Sequence, residues 1–254
     1  MHNLNSLSVL VTRPLPRALG LAKQIHDCNG SAFLFPSFYI KSLPISTINT
    51  IEAEPDIIIF TSANAVHCAF QQGCPLKKNA AYIAVGPTTK NTLAQFKIDS
   101  TVPENFSSEG ILALPITQAV QQKTIWLITG KEARRHLYNT LIHRGANVDH
   151  IICYERIQAE PQPHTIDQVS QLQFDVIVST SKSSLFHLNA IIEQHDLSHL
   201  KKTPLMVAHP RQATYAKSLG FTDIIEAKNS LDASLIQQLD HLSKLLILQQ
   251  NRGL

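Results

Sequence analysis

The chain has 254 residues, of which 44% are apolar, and a formal net charge of +3. That length and composition allow two α/β domains with real cores. The small charge, with no Lys/Arg run, argues against a nucleic-acid face, and no apolar run reaches membrane-spanning length. The first residues, Met1-His2-Asn3-Leu4-Asn5, lack the basic start and apolar core of a signal peptide. Four scattered cysteines without a CxxC read as reduced thiols, so a cytoplasmic protein is expected.

In chain order, Val9-Leu10-Val11 predicts a short strand. Thr12-Arg13-Pro14 ends it, and Pro14 or Pro16 can start a helix whose apolar face is Ala18, Leu21, Ala22 and Ile25. Residues 32–35 predict the next strand, and residues 38–43 a connecting ribbon. Asp56 then opens Ile57-Ile58-Ile59-Phe60, an unalternating run that suits a strand buried on both faces. Thr61, Ser62 and Asn64 are helix N-cap types, and Ala65, Val66, Ala69 and Phe70 have helical spacing. A strand over 81–85, a helix over 87–96 and a short strand near 100–102 follow. Ser107-Ser108-Glu109 opens a helix expected to run through Ile111, Leu112, Leu114 and Ile116 despite Pro115. Residues 124–129 predict a strand. Gly130-Lys131 turns into a helix with Leu137, Leu141 and Ile142 inward, ended by Gly145. Residues 148–156 are extended, and 158–164, with two prolines, read as a linker.

Internal repetition decides the organisation. Asp175-Val176-Ile177-Val178-Ser179-Thr180-Ser181-Lys182 repeats the order of the stretch at Asp56: an aspartate, an apolar run, a hydroxyl-rich turn, a helix. Residues 205–210 likewise follow Lys201-Lys202 as 82–87 follow Lys77-Lys78. Residues 9–35 resemble 124–152, but one begins the chain and the other ends the first repeat. The expected fold is therefore α/β: two three-layer α/β/α domains with parallel sheets, a duplicated unit with one domain inserted in the other. Residues 1–36 with 160–254 make the first domain and 42–150 the second. Linker strands at 37–41 and 151–159 pair as a two-stranded β-ribbon. A helix over 231–248 closes the first domain, with residues beyond it fraying.

Hydroxyl-rich turns recur at the expected strand ends: Thr12-Arg13, Thr61-Ser62, Gly86-Pro87-Thr88-Thr89 and Thr129-Gly130-Lys131, then Thr180-Ser181-Lys182 and His209-Pro210-Arg211. Ligands of open α/β sheets bind at carboxyl strand ends, and helix N-termini attract anions. Singly, such turns only cap helices; together they point to a polyanion site. A P-loop, a GxGxxG, a GxSxG elbow and an HExxH are all missing. His136, His143 and His150, spaced by sevens, read as solvated surface residues, so no metal is expected.

These residues resemble the uroporphyrinogen-III synthase family over nearly the whole chain. The resemblance lies in Thr12-Arg13, residues 60–66, Ala84-Val85-Gly86 with Thr89, Ser108-Glu109-Gly110, Gly130 with Arg134, Gly145, and 148–155. It implies two α/β domains joined by a β-ribbon and a cleft that binds hydroxymethylbilane, a linear tetrapyrrole with eight carboxylates. It also implies loss of the substrate hydroxyl as water and ring closure with the last pyrrole inverted, through an azafulvene cation and a spiro intermediate, without metal or cofactor. By position Tyr154 resembles the family's tyrosine proposed to assist hydroxyl departure. Thr89, Ser62 and Ser181 fall where the family's polar cleft residues fall; with the turns above, the expected substrate contacts are Thr12, Arg13, Ser62, Asn64, Gly86, Thr89, Gly130, Lys131, Arg134, Thr180, Ser181, Lys182 and Arg211. The His209-Pro210-Arg211-Gln212 turn departs from the family's Gly-Pro-Thr-Thr-like pattern. A monomer is expected, with the upstream hydroxymethylbilane synthase as candidate partner. Tyr154, where the extended segment leaves the inserted domain, is expected outside either core. The second reading is a non-catalytic two-lobed binder of a small polyanion.

Overall fold

Two five-stranded sheets organise the chain. The structure is a computed structural model, and it describes all residues except Met1, Pro16, 46–53, Leu76, Arg134, Gly253 and Leu254, and the side chains of 250–252. The chain divides into two compact units, Met1–Tyr39 with Ile157–Leu254, and Ile40–Arg156.

The first unit holds β1 (Ser8–Val11), β2 (Ser31–Leu34), β8 (Val176–Val178), β9 (Leu205–Val207) and β10 (Ile224–Glu226) in the order β10-β9-β8-β1-β2, all parallel. On one face Leu10, Ile177 and Val207 pack with Leu185 and Leu188 of α8 (Lys182–Gln194) and Ala213 of α9 (Pro210–Ser218). On the other, Val9, Val11 and Met206 pack with Leu21 and Ile25 of α1 (Arg17–Asp27) and Leu235 and Leu239 of α10 (Asp232–Arg252). That is the expected three-layer arrangement. Each fully buried Leu, Ile or Val contributes about 1.5–3 kcal/mol through removal from water.

The second unit holds β4 (Ile57–Phe60), β5 (Ala81–Ala84), β6 (Thr124–Gly130) and β7 (Asn147–Gln158), with β3 (Phe38–Ser42) at the edge, in the order β3-β7-β6-β4-β5. Ile58, Phe60 and Trp126 face Val66 and Ala69 of α2 (Ala63–Gln71) and Leu93 of α3 (Pro87–Gln95). Ile57, Ile59 and Leu127 face Ile111 of α4 (Ser108–Ala113) and Leu137 and Leu141 of α6 (Arg135–His143). β3 runs antiparallel to β7: Leu43 N–H donates to the Cys153 carbonyl, and Ala159 N–H to that of Ser37. This ribbon carries the chain from one unit to the other.

The duplication is visible in the strand orders: β9-β8-β1-β2 in one unit matches β5-β4-β6-β7 in the other. The aspartate that opens each repeat does the same work in both. Asp175 Oδ2 accepts Ser8 N–H at 2.7 Å and Asp56 Oδ2 accepts Thr124 N–H at 2.8 Å, so each ties the start of the central strand to its neighbour.

Local expectations needed correction at several points. The segment expected as one helix from Ser107 breaks at Leu114, whose ψ of 136° is the extended conformation favoured before proline, and α5 (Pro115–Gln118) follows. Ile142 is exposed rather than inward, because Leu137 and Leu141 already fill the helix's buried stripe. The short strand near residue 101 is a single parallel bridge, Ile83 with Thr101. α7 (Pro163–Gln171) begins inside the expected linker, with Pro163 at its first turn. α10 runs on to Arg252, past the expected frayed start. Among the described residues, no helix is long and apolar enough to cross a membrane, and all four cysteines are free.

Asp240 of α10 clamps the amino-terminal segment. Its carboxylate accepts from Lys244 Nζ (2.7 Å) and Asn3 N–H (3.0 Å), and His2 Nδ1 lies 3.2 Å away. Lys244 first, then Asn3 and His2, hold the carboxyl well below the ordinary carboxylate range, against a smaller opposing effect of burial. A depressed folded value stabilises the fold above the unfolded pKa of about 3.9, and that stabilisation is lost as pH falls towards the folded value. Asp240→Asn is therefore expected to melt below the unmodified chain at neutral pH, with the gap closing below about pH 4. Thermal melts across pH check this, and a gap constant with pH would refute it.

Candidate active site

The hydroxyl-rich turns lie at the carboxyl ends of the strands in both sheets. In the second unit, Ser62 is the N-cap of α2: its Oγ accepts Ala65 N–H at 3.1 Å. Asn64 sits half-buried in the first turn of the same helix. Gly86 is the N-cap of α3, with Phe106 packed over it at a distance that leaves a Cβ only 3.3 Å. Thr89, one turn on, is buried. In the first unit, Ser181 caps α8 by accepting Ser184 N–H at 3.0 Å, the same device as Ser62.

Tyr154 is placed by an irregularity in β7. Thr129 pairs with Ile152 but Gly130 pairs with Tyr154, so Cys153 is an extra residue on β7. In a regular strand successive side chains alternate between faces. The extra residue lets Cys153 and Tyr154 both enter the core beneath α2, at 0% and 2% exposure. This overturns the expectation of a tyrosine outside either core. The ring lies on Gly130, where a Cβ would meet its Cζ at 2.5 Å, so only glycine permits the approach.

Only the Tyr154 hydroxyl reaches polar neighbours. It lies 3.0 Å from Ser62 Oγ and accepts from Arg156 Nη2 at 3.1 Å. Burial pushes the phenol above its ordinary value, while Arg156 and Ser62 pull it back. It is a protonated hydroxyl at neutral pH. Tyr154 lines a pocket of about 210 Å³ with Thr61, Ser108, Thr129, Gly130, Glu132, His150 and Arg156, all from the second unit.

Sequence reasoning passed over three of these. Arg156 and Glu132 pair at 3.0 Å. His150 was expected to be a surface residue with His136 and His143. Those two are exposed, but His150 is half-buried, with Nε2 2.9 Å from Thr129 Oγ1 and its ring stacked on Tyr138. Burial, and then Arg135, lower its pKa, so it is neutral at pH 7. Its place in β7, four residues before Tyr154 and opposite Leu127 of β6, was the available signal.

Two predicted cations are already occupied. Arg13 is 4% exposed and bound to Asp232 at 2.5 Å. Lys131 is exposed and donates to Glu155 at 2.8 Å; that bond raises the amine and lowers the carboxyl. Lys182 Nζ lies over the Tyr215 ring, 4.7 Å from its centroid. Arg211 is exposed in the first turn of α9, where His209 Nδ1 accepts its N–H at 3.1 Å, so the divergent turn is a working helix cap. Gln212 secures it by donating to the Thr180 carbonyl and accepting Ala208 N–H. Thr12 is buried in a hydroxyl cluster with Ser37 and Ser184. Arg134 lies outside the described residues.

Burial pushes the Cys153 thiol up to about 12 and the Cys74 thiol up to about 11, so neither is a thiolate at neutral pH. Among the described residues, His, Cys, Asp and Glu form no cluster of metal-binding geometry.

The family described as "Uroporphyrinogen-III synthase HemD" matches the chain over residues 20–237. A uroporphyrinogen-III synthase of Salmonella typhimurium is 28% identical over 92% of this chain and 100% of its own length. One from Escherichia coli is 29% identical with the same coverages. One from Proteus mirabilis is 32% identical over 59% of this chain and 81% of the relative. Among solved structures, a mutant uroporphyrinogen III synthase of Thermus thermophilus superposes with a TM-score of 0.63 at 14% identity, covering 94% of this chain and 99% of that one. A Helicobacter pylori uroporphyrinogen-III synthetase gives 0.57 at 16%, covering 92% and 98%. At those identities the structures speak for the fold, an α/β fold with parallel sheets.

Proposed function

The chain belongs to the uroporphyrinogen-III synthase family, and from that premise we propose that it closes hydroxymethylbilane to uroporphyrinogen III. Its family places it among the cyclising lyases of porphyrin and haem biosynthesis, ahead of a non-catalytic binder.

One observation carries the chemical reading: a protonated phenol, Tyr154, is held in a polar pocket at the carboxyl ends of the strands by Ser62 and Arg156. In the proposed step the substrate's C–O bond breaks and its electron pair stays on oxygen. The phenol proton completes the departing water, and the pyrrole nitrogen stabilises the cation left behind. The phenolate regains a proton when ring closure releases one. Holding a flexible chain in one conformation supplies much of the acceleration, since well-positioned reactants react without further loss of freedom.

Substrate carboxylates are proposed to meet Ser62, Asn64, Gly86, Thr89 and Gly130, and likewise Thr180, Ser181, Lys182 and Arg211, aided by free N–H groups at helix starts. Thr12, buried against the Val178 carbonyl and Ser184, is proposed to hold its own turn together. Arg13 and Lys131, already paired with Asp232 and Glu155, are proposed to brace their turns instead. The proposed working state is a cytoplasmic monomer receiving substrate from the upstream hydroxymethylbilane synthase, with no cofactor.

The test is incubation with freshly made hydroxymethylbilane without added metal or cofactor, followed by oxidation and separation of isomers. Isomer III as the main product is the expected result. Folded protein at high concentration giving only the spontaneous isomer I would refute the reading.

A further inference from the structure

We infer that Arg156, fastened by Glu132, is a positioning residue that turns the Tyr154 hydroxyl so that its proton faces the pocket. The inference rests on the proposed acid role of Tyr154 and adds what sets the direction of that acid.

Counting hydrogens leads there. A guanidinium only donates, so Arg156 Nη2, 3.1 Å from the phenol oxygen, occupies one of its lone pairs. Ser62 Oγ already accepts Ala65 N–H at 3.1 Å and lies 3.0 Å from the phenol oxygen. With Ser62 donating its own hydroxyl hydrogen, the phenol accepts two bonds from protein and keeps its proton for the pocket. In the opposite arrangement the proton is given to Ser62 and lost to the substrate. The first arrangement also suits the phenolate, because both donors stay in place when the proton leaves, as preorganised stabilisation of developing charge requires.

Glu132 makes Arg156 a fixed donor. Its Oε1 accepts the Arg156 backbone N–H and its Oε2 accepts Nη1, each at 3.0 Å. The guanidinium carbon stands 5.3 Å from the centre of the Tyr154 ring, and Gly130 also lies close against the ring. The paired carboxylate also offsets the Arg156 charge, which argues against a primary role in gripping a substrate carboxylate.

The experiment is a double-mutant cycle with Tyr154→Phe, Arg156→Gln and the double variant, with Glu132→Gln and Arg156→Lys alongside. For each, kcat, KM and melting temperature are measured with hydroxymethylbilane. Arg156→Gln is expected to lower kcat about tenfold, a part of the roughly hundredfold or more that a general acid supplies, with KM changed less than about twofold. Added to Tyr154→Phe, it is expected to change kcat by less than about twofold, since its effect passes through the missing hydroxyl. Glu132→Gln is expected to show a smaller loss of the same kind. Arg156→Lys, which cannot fork between Glu132 and Tyr154, is expected to lose kcat too; it decides the matter if the glutamine variant does not fold. A raised KM with intact kcat, or an equal loss in the Tyr154→Phe background, would overturn the inference. Full activity of Tyr154→Phe would instead overturn the acid role on which it rests.

Discussion

Replacing Tyr154 by Phe is expected to lower kcat about a hundredfold, the lower end of what a general acid supplies. The lower end is expected because the substrate hydroxyl is already activated by its pyrrole and positioning carries much of the barrier. KM should move little, since the proton is transferred only in the transition state. Stability should fall as well, by about 1 kcal/mol, because the lost hydroxyl is buried and had two partners. The tyrosine's burial separates this forecast from one for a surface residue, whose loss would leave melting unchanged. Rate and melting temperature measured on one preparation check both parts. Full activity would exclude the acid role. A fall in activity matched by gross unfolding would leave the ring as a packing element of the second unit.

Much of the architecture was legible because the fold repeats itself. The strand–turn–helix at Asp56 and its echo at Asp175 carried the duplication, and Ser62 and Ser181 cap their helices in the same way. The cores followed from unalternating runs such as residues 57–60, which suit a sheet covered on both faces. The site was legible to the level of its turns and not of its contacts. Arg13 reads as an anion receptor until Asp232, 219 residues away, is seen beside it. Arg156 was only the last residue of an extended segment. His150 was grouped with surface histidines by a sevenfold spacing that crosses from α6 into β7 and so means nothing for a common face. The side on which Tyr154 falls depends on Cys153, an extra residue whose effect is set by pairing with β6 and leaves no mark in local sequence.

Gly130→Ala is expected to be still more damaging than loss of the tyrosine hydroxyl. The added Cβ would stand 2.5 Å from Tyr154 Cζ, 2.7 Å from Cε2 and 2.9 Å from the hydroxyl oxygen. Backbone strain is not the cause, because Gly130 is absent from the left-handed positions that Gly73, Gly145 and Gly220 occupy. The cause is overlap, and the ring has little room to retreat: it is 2% exposed and packed in the core with Ile128, Ile151 and Cys153. Overpacking a filled core costs roughly 1–3 kcal/mol, a drop of several degrees in melting temperature for a chain of this size. Activity should fall further than stability suggests, because moving the ring breaks the Ser62 and Arg156 contacts together and misdirects the proton as well as displacing it. The loss in kcat is therefore expected to exceed that of Tyr154→Phe. Combining the two substitutions should restore only part of the melting temperature, because the Cζ overlap remains after the oxygen is gone. Melting and activity both at the level of the unmodified chain would mean that the ring does not rest on Gly130. The bulge between Thr129 and Gly130 would then lose its place as the feature that aims the phenol.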